Sequence, residues 1–142
     1  MKIERKGSAA WSGGLKDGKG AISTESGALS NYPYGFAARF EGQKGSNPEE
    51  LIAAAHASCF TMALSLALGE AGFTADKMET SAKVTLEKLD SGFAVTASAL
   101  SLSAKIPNID DAKFQEIAAG AKANCPISKL LKADISLEAK LA

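Results

Sequence analysis

The sequence predicts an α+β domain, and three observations support this class. Runs in which apolar and polar residues alternate, as in strands, lie near both ends of the chain and in its middle. Helical patterns separate these runs without the regular strand–helix alternation of a parallel α/β sheet. The chain has 142 residues, 16 acidic and 16 basic side chains and 46% hydrophobic residues, a composition typical of one globular domain. We therefore expect residues 1–142 to form a single domain.

The first 42 residues predict strands joined by glycine-rich turns. Three strands are expected, at residues 2–11, 21–24 and 33–40. In the third strand the apolar side chains recur at every second position, namely Tyr34, Phe36, Ala38 and Phe40. Arg39 would then lie on the opposite face of that strand.

A long helix is predicted from residue 48 to about residue 71. Asn47 can cap it, Pro48 suits its first position, and Glu49 and Glu50 complement the positive end of the helix dipole. Gly72 is the expected stop. Residues 51–68 form an uncharged segment that is long enough to span a membrane. However, Ala and Ser are frequent in this segment, and carboxylates flank both of its ends. We therefore predict a core helix outside the membrane, buried in part against a second copy of the chain.

The remaining residues predict a β-hairpin, two helices and a last strand. The hairpin strands are expected at residues 79–89 and 93–106, joined by the turn Asp90-Ser91-Gly92. Helices are expected at residues 110–122 and 125–132, followed by a strand at 133–141. The predicted order is β-β-β-α-β-β-α-α-β.

Few side chains suited to catalysis are present, and their scarcity excludes several functions. One histidine and two cysteines cannot supply a four-ligand zinc site of the usual kind, and no phosphate-binding glycine motif occurs. Balanced charge argues against a nucleic acid or an anionic membrane as the partner. The charged N-terminus lacks the apolar segment of a secretory signal, so we expect a cytoplasmic protein whose cysteines are free or catalytic.

The two cysteines, Cys59 and Cys125, are the main candidates for chemistry. Cys59 lies in the middle of the long helix, where a free cysteine usually packs as a small hydrophobic side chain. Cys125 precedes Pro126 at the start of a helix, where backbone N–H groups and the helix dipole lower a thiol pKa, although it could also be a plain turn residue. His56 lies one turn before Cys59, a spacing that would allow a Cys-His pair. We expect instead a buried neutral side chain bonded to a backbone group or a hydroxyl.

Glu49 stands ten residues before Cys59 on the same predicted helix. At 1.5 Å per residue the two are about 15 Å apart, so they cannot touch within one straight helix. If Glu49 serves Cys59, it must come from an antiparallel second copy, which predicts a twofold dimer. Otherwise Glu49 only complements the helix dipole, and Arg39 is an exposed strand residue.

Residues 47–60 (NPEELIAAAHASCF) resemble the signature of the osmotically inducible protein C family, whose relatives include the organic hydroperoxide resistance proteins. The resemblance extends in register over nearly the whole chain, including residues 20–27, 33–36, 39–42, 68–73 and 123–126. It implies an intertwined α+β homodimer in which antiparallel sheets wrap around long central helices, with active sites at the interface.

The resemblance also implies a thiol-dependent peroxidase, with peroxiredoxin-like activity, that reduces organic hydroperoxides and more weakly hydrogen peroxide. Cys59 matches the peroxidatic cysteine of the family and Cys125 the resolving cysteine. Local electrostatics alone would instead favour Cys125 as the more activated thiol. Arg39 and Glu49 match the residues that activate the peroxidatic thiol. An external dithiol would reset the pair, and no cofactor is required because sulfur carries the electrons.

Two other functions remain compatible with the residues. The chain could be a non-catalytic dimeric module that holds a lipid or another small hydrophobic ligand, with the cysteines as packing residues. It could also be a structural dimer in which Arg39, Glu49 and Cys59 have no common role.

Overall fold

The computed structural model describes residues 1–142 and confirms the α+β class. The chain divides into two compact units, Met1–Leu51 and Ile52–Ala142, each with its own three-stranded sheet. That the whole chain forms one domain stays a prediction.

The first unit contains an antiparallel sheet with the strand order β1-β2-β3. Its strands are β1 (Gly7–Ser12), β2 (Lys19–Thr24) and β3 (Tyr32–Tyr34). The rings of Trp11 and Tyr34 pack together with centroids 5.5 Å apart. They lie over Gly20, where a Cβ atom would collide with both rings, so this position requires glycine.

The predicted strand at residues 33–40 was wrong beyond Tyr34. Gly35 is extended, and the next residues form a short helix, α1 (Phe36–Phe40). Phe36 and Phe40 are also four residues apart, so in a helix they share a face, and their rings pack 5.0 Å apart. Arg39 therefore lies in the last turn of a helix and not on a strand face. The aromatic spacing fits both periods, and the Ala-Ala-Arg segment favours the helical one.

The long helix, α2 (Pro48–Glu70), begins and ends where its sequence signals predict. The Asn47 side-chain oxygen accepts the backbone N–H of Glu50 at 2.8 Å, and the Asn47 amide donates to the Glu50 carboxylate at 3.0 Å. After the helix, Gly72 takes a φ of 88° and the Phe73 N–H bonds to the Leu68 carbonyl at 2.8 Å. This arrangement is a Schellman motif, which requires the left-handed conformation that glycine adopts freely.

The second unit packs helices on one face of a sheet with the strand order β4-β5-β6. Its elements are β4 (Lys77–Leu89), β5 (Gly92–Lys105), α3 (Asp111–Asn124), α4 (Pro126–Leu130) and β6 (Asp134–Leu141). The β4–β5 hairpin is antiparallel, as predicted. However, β6 runs parallel to β5, because the chain returns through α3 and α4 before it joins the sheet.

Within the chain, α2 is buried along one stripe only. The buried side chains recur every four residues and are His56, Phe60, Leu64 and Leu68. Met62 and Leu66 are 77% and 65% exposed. By length and composition α2 is also apolar enough to cross a membrane, a test that the core helices of soluble proteins pass as well. The expected burial all round α2 is thus not achieved by this chain alone.

Candidate active site

The two cysteines, 66 positions apart in the sequence, meet in the second unit. Cys59 lies on α2 and is partly buried, while Cys125 is fully buried at the junction of α3 and α4. Both are free thiols, and the two side chains interact directly. Cys125 belongs to the apolar core on which Cys59 packs, so the packing of the helices brings the sulfur atoms together.

The pKa values of the two thiols are shifted in opposite directions. Burial raises the pKa of Cys59, the contact with Cys125 raises it further, and the backbone N–H of Ile127 opposes both effects only in part. Burial also disfavours the Cys125 thiolate, but interactions with Cys59, with Ser128 and with the backbone of residues 127 and 128 outweigh it and lower the pKa of Cys125. In the chain alone, Cys125 is therefore the more acidic thiol, as its position at the start of α4 predicted.

His56 is fully buried, and both of its ring nitrogens have hydroxyl partners. Nδ1 lies 2.6 Å from the Ser98 Oγ and Nε2 lies 2.8 Å from the Ser128 Oγ. Burial lowers the pKa of His56, so the ring is neutral near pH 7. This confirms the expectation of a buried neutral histidine bonded to a hydroxyl.

Arg39 and Glu49 form a bidentate ion pair in the first unit. The guanidinium Nε lies 2.9 Å from one carboxylate oxygen of Glu49 and Nη2 lies 3.0 Å from the other. The Glu49 side chain is 13% exposed and that of Arg39 is 37% exposed. Arg39 also lies over the Phe40 ring, 5.2 Å from its centroid. The pair leaves the Nη1 group of Arg39 outside the bidentate contact, so it can bind a further anion.

Cys59 opens onto an apolar groove between α2 and α3, with a volume of about 590 Å³. Its lining includes Met62, Leu66, Ile117, Ala121 and Pro126. Glu70 and Glu116 also line it and are its only charged side chains. A groove of this size can hold a small apolar molecule beside the Cys59 sulfur. No group of three or more His, Cys, Asp and Glu side chains is arranged to hold a metal ion.

The sequence reasoning did not identify Ser98 and Ser128. Ser128 follows Cys125 by three residues, and at this spacing an N-cap residue contacts the first turn of its helix. This spacing could have identified Ser128 as a neighbour of Cys125. Ser98 had a weaker signal: it begins the inward-facing row of β5 that continues with Leu100 and Leu102. A serine on such a row needs a buried polar partner, and His56 provides it.

Comparison with known proteins gives consistent matches over nearly the whole chain. Residues 41–140 match the family model described as "OsmC-like protein". The chain is 57% identical to the peroxiredoxin OsmC of Escherichia coli, over 99% of both proteins. It resembles the crystal structure of the organic hydroperoxide resistance protein OhrB of Bacillus subtilis, with a TM-score of 0.68, 30% identity and coverage of 96% of this chain and 98% of that one. An OsmC-like protein of Mycoplasma pneumoniae, at 15% identity, shares the fold with a TM-score of 0.76 over 100% of this chain and 99% of that one.

Proposed function

Since the chain belongs to the OsmC-like protein family, we propose that it reduces organic hydroperoxides, and hydrogen peroxide more weakly, with Cys59 as the peroxidatic thiol and Cys125 as the resolving thiol. The family relationship makes the chain a cysteine-based peroxidase. The main support for the roles of the two cysteines is their direct interaction at the edge of an apolar groove.

In the first step, the Cys59 thiolate attacks the terminal oxygen of the hydroperoxide. An S–O bond forms, the O–O bond breaks, and the departing alkoxide takes a proton and leaves as the alcohol. Cys59 is left as a sulfenic acid. The apolar lining of the groove supports organic hydroperoxides as substrates, because burying an alkyl chain there gives binding free energy that hydrogen peroxide cannot provide.

Cys59 requires a positive group for this step, because burial and Cys125 both raise its pKa. We assign this role to Arg39 of the partner subunit, held in orientation by the partner's Glu49. The bidentate pair fixes the guanidinium and leaves Nη1 available to a thiolate and to the developing alkoxide. A partner is needed because Glu49 lies ten residues before Cys59 on α2, about 15 Å along a straight helix. The proposed enzyme is therefore a homodimer.

In the second step, Cys125 attacks the sulfenic sulfur of Cys59. The S–S bond forms, the S–O bond breaks, and the hydroxide leaves as water after it takes a proton. An external dithiol then reduces the disulfide by thiol exchange. The lowered pKa of Cys125 supports its role as the attacking thiol in this step. We place this chemistry in the cytoplasm, where dithiol reductants keep cysteines reduced.

The test is peroxide consumption with tert-butyl hydroperoxide and dithiothreitol. We expect Cys59→Ser to abolish turnover, because it removes the nucleophile. Cys125→Ser should still consume the first equivalent of peroxide and should leave Cys59 as a sulfenic acid that dimedone traps. Ser91→Ala, an exposed change in the turn between β4 and β5, is the control and should retain full activity. Unchanged turnover in Cys59→Ser would overturn the assignment.

The groove also supports a second candidate, a module that binds a small hydrophobic ligand without chemistry. The two functions differ in one measurement. A peroxidase forms the Cys59–Cys125 disulfide rapidly when a stoichiometric hydroperoxide is added, whereas a binding module retains both thiols and still takes up an apolar fluorescent probe.

A further inference from the structure

The peroxidase mechanism leaves a buried network unused, the one centred on His56. His56 is the only histidine of the chain and is fully buried, with the Ser98 Oγ at 2.6 Å from Nδ1 and the Ser128 Oγ at 2.8 Å from Nε2. Ser98 is fully buried as well. Burying the polar side chains of His56 and Ser98 is costly unless each has a partner, so their hydrogen bonds fix the orientation of the imidazole ring.

The far end of this network reaches Cys125. Ser128 lies three residues after Cys125, in the first turn of α4, and its hydroxyl interacts with the Cys125 sulfur. The backbone groups of residues 127 and 128 also interact with this sulfur, so the Ser128 hydroxyl is one of several groups at the start of α4 that favour the Cys125 thiolate. The polar groups thus form a continuous series from Ser98 through His56 and Ser128 to Cys125.

The direction of the hydrogen bonds decides what this series does. A neutral imidazole donates from one nitrogen and accepts at the other. If Nε2 carries the proton, it donates to the Ser128 oxygen, Ser98 donates to Nδ1, and the Ser128 hydroxyl proton is left to point at the Cys125 sulfur. If Nδ1 carries the proton, Ser128 must donate to Nε2 and cannot donate to sulfur.

We propose that His56, as its Nε2–H tautomer, is a positioning residue that directs the Ser128 hydroxyl proton onto the Cys125 sulfur and so prepares Cys125 for disulfide formation. The proposal rests on the resolving role of Cys125 proposed above. Ser128 touches the reacting sulfur, and His56 acts through Ser128. The lowered pKa of Cys125 agrees with this role of Ser128, because Ser128 is among the groups that lower it.

The relay assists one balanced step. The Cys125 thiolate supplies the electron pair of the new S–S bond, and the S–O pair of the Cys59 sulfenic acid leaves with hydroxide, which takes a proton to become water. The Ser128 hydroxyl donates to the thiolate before the attack and keeps its own proton, so the relay transfers none. The hydroperoxide that formed the sulfenic acid is the only oxidant required.

Other groups near Cys125 can be accounted for. Cys59 on α2 is the titratable side chain that interacts with it, and its thiol lowers the pKa of Cys125. Glu70 on α2 and Glu116 on α3 line the groove onto which Cys59 opens, and β5 contributes the uncharged Ser98. Lys129 follows Ser128 on α4 and is exposed. Substituting Ser128 alone therefore leaves every charged group in place.

The first experiment needs no peroxide. Because Cys125 is fully buried, we would follow its ionisation by the ¹³Cβ chemical shift of ¹³C-labelled cysteine from about pH 6 to about pH 10, which needs no reagent to reach the sulfur. Ser128→Ala should move the titration profile of Cys125 to higher pH by about one pH unit, because it removes a hydrogen bond to the thiolate. Ser128→Thr keeps the hydroxyl and should restore the native profile. Ser101→Ala, on the exposed face of β5, is the control and should change nothing. An unchanged profile in Ser128→Ala would overturn the relay.

The second experiment reads the tautomer directly. Because His56 is the only histidine, ¹⁵N-histidine labelling gives one pair of ring signals without assignment. We expect a neutral ring with the proton on Nε2 near pH 7, and a shift of the Nε2 signal in Ser128→Ala. A ring protonated on Nδ1 would reverse the hydrogen bonds and refute the proposed direction.

The third experiment separates this inference from the peroxidase itself. In a single turnover with tert-butyl hydroperoxide, Ser128→Ala should leave Cys59 oxidation within about twofold of the native rate and slow disulfide formation about tenfold. If the native protein forms no disulfide, the proposed function fails, and the ¹³C titration and the ¹⁵N results still decide the relay. If the native protein forms the disulfide and Ser128→Ala forms it equally fast, the relay is refuted and the function stands.

Discussion

At the scale of single residues, the two cysteines respond differently to a shared environment. Burial disfavours the thiolate of each, but Cys125 lies at the start of α4 beside a hydroxyl, and Cys59 has one opposing backbone N–H. The pKa of Cys59 is therefore raised and that of Cys125 lowered. In the proposed mechanism these shifts suit Cys125 for attack on an oxidised Cys59, and they require a positive group from outside to stabilise the Cys59 thiolate in the first step.

Arg39 provides the first prediction at this scale. Arg39→Ala should raise the pKa of Cys59, because it removes the cation proposed to stabilise the thiolate, and should lower peroxide turnover by about a hundredfold. The measurement is the pH profile of Cys59 alkylation together with peroxide consumption. The chain has one other arginine, the exposed Arg5, so Arg5→Ala is the matched control. An alkylation profile that does not move in Arg39→Ala would contradict the role of Arg39.

His56 provides the second prediction at this scale. Its pKa is lowered in the folded state, so the unfolded chain binds the proton more readily. Stability from the neutral ring is complete above the unfolded pKa of about 6.5 and is lost as the pH falls below it. Urea unfolding should show a falling free energy of unfolding between about pH 7 and about pH 5. In His56→Gln this fall should be reduced, and an equal fall in both proteins would argue against His56 as its source.

At the scale of elements, local signals determine the ends of helices better than the identity of short segments. The Asn47 cap and the Gly72 stop set the limits of α2, because each satisfies backbone groups that the helix leaves free. Residues 36–40 had no such signal. Their aromatic spacing fits a strand and a helix equally, and the absence of a partner strand beyond Tyr34 leaves α1 as the outcome.

Two glycines at the end of α2 provide the prediction at this scale. A Cβ atom would meet nothing within 4 Å at Gly69 or at Gly72, but only Gly72 has a positive φ, of 88°. Gly72→Ala should lower the free energy of unfolding by about 1 kcal/mol, because alanine is strained in the left-handed region. Gly69→Ala is the matched control and should raise it by about 0.5 kcal/mol. Thermal and urea unfolding test both, and equal effects would disprove the argument from φ.

At the scale of the whole molecule, α2 leaves large apolar side chains uncovered. Within the chain every fourth residue of α2 from His56 to Leu68 is buried, whereas Met62 and Leu66 are largely exposed next to Cys59. We interpret this apolar surface as part of the interface of the proposed homodimer. The proposed homodimer would cover it, and the same dimer would bring the partner's Arg39 to Cys59.

The oligomeric state provides the prediction at this scale. Sedimentation velocity should give a dimer for the native chain. Met62→Glu and Leu66→Glu together should produce monomers, because each places a carboxylate in an apolar contact. Leu89→Glu changes an exposed leucine at the end of β4 and should leave the dimer intact. A monomeric native protein, or a double variant that stays dimeric, would contradict the proposal.

The sequence by itself determined the α+β class, most strand and helix limits, the family resemblance and the short list of reactive side chains. Those features depend on local periodicity, on capping residues and on composition, which neighbouring residues encode directly. The tertiary structure alone decided that β6 pairs in parallel and that residues 36–40 form a helix. It also decided that His56 joins Ser98 to Ser128. These contacts connect residues up to 72 positions apart, and the packing of α2, α3 and α4 on one sheet brings them together, which no local pattern specifies.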